Sequence, residues 1–346
     1  MQRHGPCCPI PLLAPGNAMR SRFFSVVSCL ILTATGIASV EAASLSQQRQ
    51  YYDEAKRALA KGDSGPYRQY ASALRDYPLT PYLAYDELTN RLKSASNAEI
   101  EKFLAEHGDL PQASWMKLRW LRWLAERGDW KPFLDHYDPA LNFTELDCLY
   151  GQYQLSHGLT AEGNATAEKL WLVGKSQPNA CDPLFERWAA NGQLTEQRRW
   201  QRAKLAVESG NYGLANFLIK GMPTLGERGK LMVEVAQKPE LLKNTARFAP
   251  ADDAMSDVVG LGLRRLARQN PEDALALLDG YAQRMKFSAD EQVAIARQIG
   301  LRLAQRFDLR GLQVMDKYDP QLRDNTVSEW RARLLLRHGR WEEAYQ

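Results

Sequence analysis

The chain has 346 residues, 45% of them hydrophobic, 25% charged and 10% aromatic, with nine Trp. That is the composition of a folded protein with material for a large core, and its mixed charges exclude one that lies mostly within a membrane. A formal net charge of +4 is mild for this length and gives no case for nucleic-acid binding, which wants a much stronger basic patch.

Taken in chain order, the first pattern is a leader. Arg20 and Arg22 form a positive start, Phe23 to Thr35 an apolar run, and Val40-Glu41-Ala42 a small-x-small cleavage site. This is the layout of a secretory signal peptide. The apolar run is too short to span a bilayer comfortably. Cys29 lies inside the run and not at the cleavage point, so lipid anchoring is not expected. Residues 1–18 have no structural logic ahead of such a leader, and Met19 reads as the true start. Residues 1–42 are therefore taken as an upstream extension plus signal peptide, and residues 43–346 as the exported fold, with no membrane span after cleavage.

Removing the leader takes Cys7, Cys8 and Cys29 with it and leaves Cys148 and Cys181. In an oxidising compartment a lone pair of thiols tends to form a disulfide. Two separately buried thiols are the alternative. A bridge would be structural and would contribute about 3 kcal/mol by constraining the unfolded chain.

Beyond residue 44 the pattern is helical almost everywhere. "SLSQQRQYYDEAKRALAKGD" places Tyr51, Ala55, Ala58 and Leu59 on one face and stops at Gly62. "SWMKLRWLRWLAERG" places Trp115, Leu118, Leu121, Trp123 and Leu124 close to helical spacing, with Lys117, Arg119 and Arg122 between them. Asn270-Pro271-Glu272-Asp273 is a helix start: Asn caps, Pro fits the first turn, and the acids complement the positive dipole end. Ser288 with Glu291 predicts a capping box ahead of "QVAIARQIGLRLAQRF". Alternating β-branched runs of strand length are missing, so the predicted class is all-α, with helices of about 10 to 18 residues, as the spacing of breakers suggests.

A punctuating phrase recurs: "ERGDWKPFL" at 126–134, "ESGNYGLANFL" at 208–218, "RHGRWEEAY" at 337–345, and a looser "AKGDSGPYRQYA" at 60–71. Each is polar-Gly-polar, then an aromatic or Pro-aromatic, then apolar residues at helical spacing. The turn glycines are Gly62, Gly128, Gly210 and Gly339. Helix pairs that bury one face only against their neighbours make a superhelix. The units are only similar to tetratricopeptide repeats, whose signature residues do not recur. Such an array needs capped ends, and stopping on the first helix of a pair reads as a chain cut at its C-terminal end.

Chemistry-bearing motifs are scarce. His4, His107, His136, His157 and His338 lack any zinc-ligand spacing. His107, His157 and His338 each precede a turn Gly, which makes them helix C-terminal residues. Neither a nucleophile elbow nor a Gly-rich phosphate loop occurs. No catalytic, cofactor-binding or metal-binding residue is assigned, and no cofactor is expected. The Trp-rich helix at 115–130 could stack on sugar rings, but aromatics at helical spacing more often form core. Asn142-Phe143-Thr144 and Asn164-Ala165-Thr166 match glycosylation sequons too short to weigh much.

Longer phrases carry a resemblance. "YPLTPYLAYDEL" at 77–88, "FLAEHGDLPQASWMKLRWLRWLAERGDWKPFLDHY", "WAANGQLTEQRRWQRAKLAVESGNYGLANFL" and "SEWRARLLLRHGRWEEAY", with Cys148 and Cys181 at their separation, resemble the N-terminal superhelical region of the soluble lytic murein transglycosylases. The resemblance covers essentially residues 45–346. It implies a right-handed, U-shaped, tetratricopeptide-like α-solenoid in a periplasmic enzyme of peptidoglycan turnover. Such enzymes cleave the β-1,4 bond between N-acetylmuramic acid and N-acetylglucosamine and leave a 1,6-anhydro ring. One Glu, in a Glu-Ser pair followed by Gly-Leu-Met-Gln, acts as general acid and then base in a lysozyme-like C-terminal domain.

The one Glu-Ser here, Glu208-Ser209, is followed by Gly213-Leu214 without the Met-Gln and belongs to the helical repeat. Glu208 therefore reads as a solvated residue near a helix end, and the catalytic domain as missing from this chain. The expected partners are peptidoglycan glycan strands, that catalytic domain and cell-wall synthesis proteins. The alternative is a stand-alone periplasmic protein-interaction module.

Overall fold

The computed structural model describes residues 43–320 and 324–345. The leader reading, with His4, Cys7, Cys8, Met19 and Cys29, lies outside them. Among the described residues every regular element is a helix. In order these are α1 (Leu45–Leu59), α2 (Gly65–Gln69), α3 (Thr80–Asn90), α4 (Asn97–His107), α5 (Pro111–Glu126), α6 (Trp130–His136), α7 (Thr144–Ser156), α8 (Thr160–Trp171) and α9 (Asp182–Ala190). Then follow α10 (Glu196–Glu208), α11 (Tyr212–Lys220), α12 (Gly226–Gln237), α13 (Asp253–Gln269), α14 (Pro271–Arg284), α15 (Ala289–Gln305), α16 (Arg310–Tyr318), α17 (Asn325–Arg337) and α18 (Trp341–Tyr345). Short 3-10 turns punctuate them. The helices range from 5 to 17 residues, so α2, α6 and α18 are shorter than the sequence predicts.

The substantial helix–helix contacts all join elements one or two places apart in the chain. Neighbours form hairpins, as in α7 with α8, α10 with α11 and α15 with α16, while α1, α3, α5, α7 and α9 touch in series and α13, α15 and α17 do the same. The core is correspondingly strung out. One cluster holds Tyr52 to Leu83, a second Leu88 to Leu146, a third runs from Cys148 to Val314, and a fourth gathers Ala304, Leu312, Met315 and the α17 leucines. This is a superhelical array in which each pair of helices buries its apolar face on the next.

The turn glycines do what the repeated phrase predicts. Gly62, Gly128, Gly210 and Gly339 all have φ between 71 and 82°, the left-handed conformation that costs Gly nothing. In each case the following amide donates back into the last turn, as Asp129 N does to Leu124 O at 2.9 Å and Arg340 N to Leu335 O at 2.9 Å, which closes a Schellman motif. Gly158 and Gly192 form the same motif, through Leu159 N to Gln154 O and Gln193 N to Trp188 O.

Three local readings need correcting. On α1 the buried face is Tyr52, Ala55 and Leu59, with Tyr51 half-buried and stacked on Tyr70 at 4.3 Å. On α5 the core tryptophan is Trp120, fully buried with Nε1 donating to Asn97 Oδ1 at 3.0 Å, while Trp115 is 53% exposed and Trp123 half-buried. Ser288 does accept from the Glu291 amide, but the Glu291 carboxylate turns to Arg264 and leaves the box half made. Reciprocal boxes occur instead at Ser44 with Gln47 and Ser96 with Glu99.

Two glycines let α15 and α16 cross closely. A Cβ on Gly311 would lie 2.9 Å from Gly300 O and 3.1 Å from Ala304 N, backbone atoms that cannot step aside. Gly192 has open space around it. We expect Gly311→Ala to destabilise by about 1–3 kcal/mol through overpacking, and Gly192→Ala by about 1–2 kcal/mol through its left-handed backbone alone. Urea unfolding followed by circular dichroism measures both, and an unperturbed Gly311→Ala would contradict the crossing.

A second expectation concerns acid. The Glu196 carboxylate accepts from the Thr224 and Leu225 amides at 2.8 Å each and from the Thr224 hydroxyl, which fastens α10 to the entry of α12. These hydrogen bonds, that of the Thr224 hydroxyl first, hold it below its ordinary range. A depressed carboxyl stabilises above its unfolded pKa and loses that contribution as pH falls through the folded value. Thermal melts from pH 7 to 3 should therefore show a smaller acid loss in Glu196→Gln than in the wild type.

Candidate functional site

Cys148 and Cys181 come together. Cys148 sits on α7 and Cys181 in the turn before α9; both are fully buried, with Cα atoms 4.9 Å apart and the sulfurs bonded across 33 positions. The Gln152 amide donates to Ala180 O at 2.6 Å beside them. Leu146, two residues before Cys148 on α7, belongs to the preceding core cluster. The crosslink thus stands at the seam between two cores.

Among the described residues no group of three or more His, Cys, Asp and Glu could hold a metal ion. The four described histidines have other partners. His107 ends α4 edge-on to Phe103, and His136 meets Glu101 at 3.2 Å beside Trp120. His157 reaches Tyr153 O at 2.9 Å, and His338 reaches Phe307 O at 2.9 Å. In the second sequon Asn164 lies within α8 and Thr166 donates to Gln154 Oε1 at 2.8 Å, a structural use of the hydroxyl.

Glu208 lies at a richer place than a plain helix end. It is the last residue of α10, exposed, and accepts from Arg264 Nη2 at 2.7 Å. A proton-donating acid needs an apolar, poorly solvated enclosure, and this carboxylate has a guanidinium instead. Asp86, by contrast, is pushed above its ordinary range by burial, with Lys56 opposing.

The surroundings of Glu208 form a cavity of about 360 Å³. Lys204 and Glu208 enter it from α10, Arg264, Arg265 and Arg268 from α13, and Glu291 from the first turn of α15. The elements are locked by long-range bonds: Asp257 on α13 accepts from Trp200 Nε1 at 2.7 Å and from Lys204 Nζ at 2.5 Å. Arg265 donates to Val207 O and Glu208 O at 2.9 and 3.0 Å, which satisfies the carbonyl end of α10. A Cβ on Gly260 would lie 2.4 Å from Glu291 Oε1, so only Gly lets that carboxylate lie on α13. The spacing Arg264, Arg265, Arg268 was the available sequence signal, since i and i+4 share a helix face. Aromatic exposure offers a second surface, with Trp115 packed at 5.5 Å on Phe143.

No helix among the described residues is long and apolar enough to cross a membrane. The chain is 30% identical over 321 residues, 92% of its length, to the soluble lytic murein transglycosylase of Escherichia coli K12, of which it covers 49%. The chain thus spans about half the length of the curated relatives it matches. The X-ray structure of an inactive mutant of lytic transglycosylase Slt from Pseudomonas aeruginosa is similar with a TM-score of 0.83 at 68% identity, over 86% of this chain and 48% of that one. The crystal structure of the 70-kDa soluble lytic transglycosylase SLT70 from Escherichia coli gives 0.58 at 27% identity, over 87% and 55%. A family model described as Cucumovirus coat protein matches residues 149–231. Its bounds fall inside α7 and α12, so it follows no folding unit of this array.

Breaking the disulfide tests its role. Cys148→Ser with Cys181→Ser should lower stability by about 2–4 kcal/mol and leave the far-ultraviolet helical signal at low temperature unchanged. A melt identical to the wild type would show that the seam holds without it.

Proposed function

We infer that this chain, a relative of the soluble lytic murein transglycosylases along nine-tenths of its length, is the amino-terminal superhelical scaffold of a periplasmic enzyme that cleaves peptidoglycan with formation of 1,6-anhydromuropeptides. The observation that carries this reading is the likeness to lytic transglycosylase Slt, with 68% identity and a TM-score of 0.83 over 86% of the chain. The pattern of the leader at residues 20–42 supports export. An oxidised Cys148–Cys181 pair supports the same compartment.

In this reading the proton-transferring Glu is carried outside residues 43–346. A general acid must hold its proton in a dry cleft and release it to the bridging oxygen as the glycosidic bond breaks. Glu208, the sole Glu-Ser in the chain, is exposed and paired to Arg264, which suits a structural carboxylate. The array supplies an extended surface along which a glycan strand can be held, since stacked helix pairs present long continuous faces.

The test uses the mature chain and purified murein sacculi. Co-sedimentation without release of anhydromuropeptides is expected. Release of anhydro products would place catalysis in this chain and overturn the scaffold assignment. Failure to co-sediment would remove glycan contact from it.

A further inference from the structure

The cavity between α10, α13 and α15 carries more positive charge than its own acids use. Lys204 is taken up by Asp257 at 2.5 Å, and Arg264 by Glu208 at 2.7 Å and by Glu291. Arg265 is committed to the carbonyl oxygens of Val207 and Glu208. Arg268 lines the same cavity, is exposed, and has no hydrogen-bond or ion-pair partner among the described residues. Arg302 on α15 does not line the cavity but lies near enough to repel the charge of Arg268; it donates to Gln305 Oε1 at 3.0 Å, and its Nε is buried without a partner among the described residues. Arg265, Arg268 and Arg302 thus have no carboxylate of their own.

We propose that this cavity is an oxyanion site, in which the free fork of Arg268, backed by Arg265 and Arg302, binds a carboxylate or phosphate group of a ligand. A planar guanidinium with open N–H groups presents two parallel donors to two oxygens of such a group, the strongest pairing available to a neutral-pH anion. The neighbouring cations add to the attraction, and Leu261 lies in the wall. Partial desolvation at the cavity wall, then Arg265, Arg302 and Arg264, pull Arg268 below its usual range, while Glu208 opposes them. That crowding of like charges is relieved when an anion enters. Glu208 and Glu291 both accept hydrogen bonds from Arg264, which leaves the Arg268 fork without a carboxylate bonded to it. The site stands independently of the murein assignment.

The experiment is calorimetric titration of the folded chain with inorganic phosphate and, separately, with glutarate. Saturable binding of one or both below about 10 mM, weakened about tenfold in Arg268→Gln and suppressed by added salt, supports the site. The tighter of the two probes then identifies the ligand's group. Arg268→Lys keeps the charge and loses the fork, so it should bind between the two. Arg268 is exposed, so these variants should melt like the wild type. Absence of saturable binding, or equal affinity in wild type and Arg268→Gln, overturns the proposal. A chain that sediments with murein yet binds neither probe would retire the anion site and leave the scaffold role standing. The reverse result would do the opposite.

Discussion

A helix that must turn back on itself within two residues leaves its last carbonyl groups without partners, and a left-handed residue is the cheapest way to return an amide to them. Six glycines among the described residues meet this demand directly after α1, α5, α7, α9, α10 and α17. Phe307, after α15, meets it without Gly: φ is 56°, and the Asp308 amide donates to Leu303 O at 3.0 Å. Hairpin packing, stacking of neighbours and the strung-out core all follow from these reversals. At Gly128 and Gly339 the tryptophan two places on, Trp130 and Trp341, folds back over the turn, whereas Tyr212 does not reach Gly210.

Polar groups do the joining that apolar faces leave undone. Arg91 grips buried Glu87 through Nε at 2.7 and 2.8 Å and reaches Glu99 at 2.8 Å, which ties the end of α3 to the start of α4. The first cause holding Glu99 down to about 2 is Arg91 itself. Asp319, almost fully buried, takes two donors from Arg297. Arg202 is a different case: its guanidinium lies 4.2 Å over Trp171 with no acid beside it, and burial lowers it to about 10. Each buried charge is held by a fork, a carbonyl or an aromatic face, as the cost of desolvation requires.

The class of fold was legible because short-range rules decide it. Breakers, caps and apolar spacing act within one turn, so the start of α14 at Asn270 and the Gly reversals at 62, 128, 210 and 339 can be read directly. Gly158 was read as a turn only through His157 before it, and Gly192 escaped, because the phrase was sought with an aromatic after it, whereas Leu159 and Gln193 follow them; the turn needs only the Gly. On α1 and α5 the aliphatic part of the face was right, with Ala55, Leu59, Leu118, Leu121 and Leu124 buried, and the aromatic choice was wrong, since several rings compete for one face and packing from elsewhere chooses Tyr52 and Trp120. Glu291 shows the limit most plainly. Its local signal closes a capping box, yet Arg264, 27 positions earlier, offers a charge-assisted bond that a neutral backbone amide cannot match. Of the basic cavity only the spacing of Arg264, Arg265 and Arg268 was visible, because the rest of its charged lining comes from two other helices.

The seam at α7 has a mechanical meaning. A stack whose members touch only their neighbours bends like a leaf spring, since a small rotation at each joint adds along the row and moves the ends farthest. The bond between Cys148 and Cys181 removes that rotation at one joint, between α7 and α9. Flexure is then carried by the joints on either side, and the crosslinked pair acts as a rigid vertebra from which both arms swing.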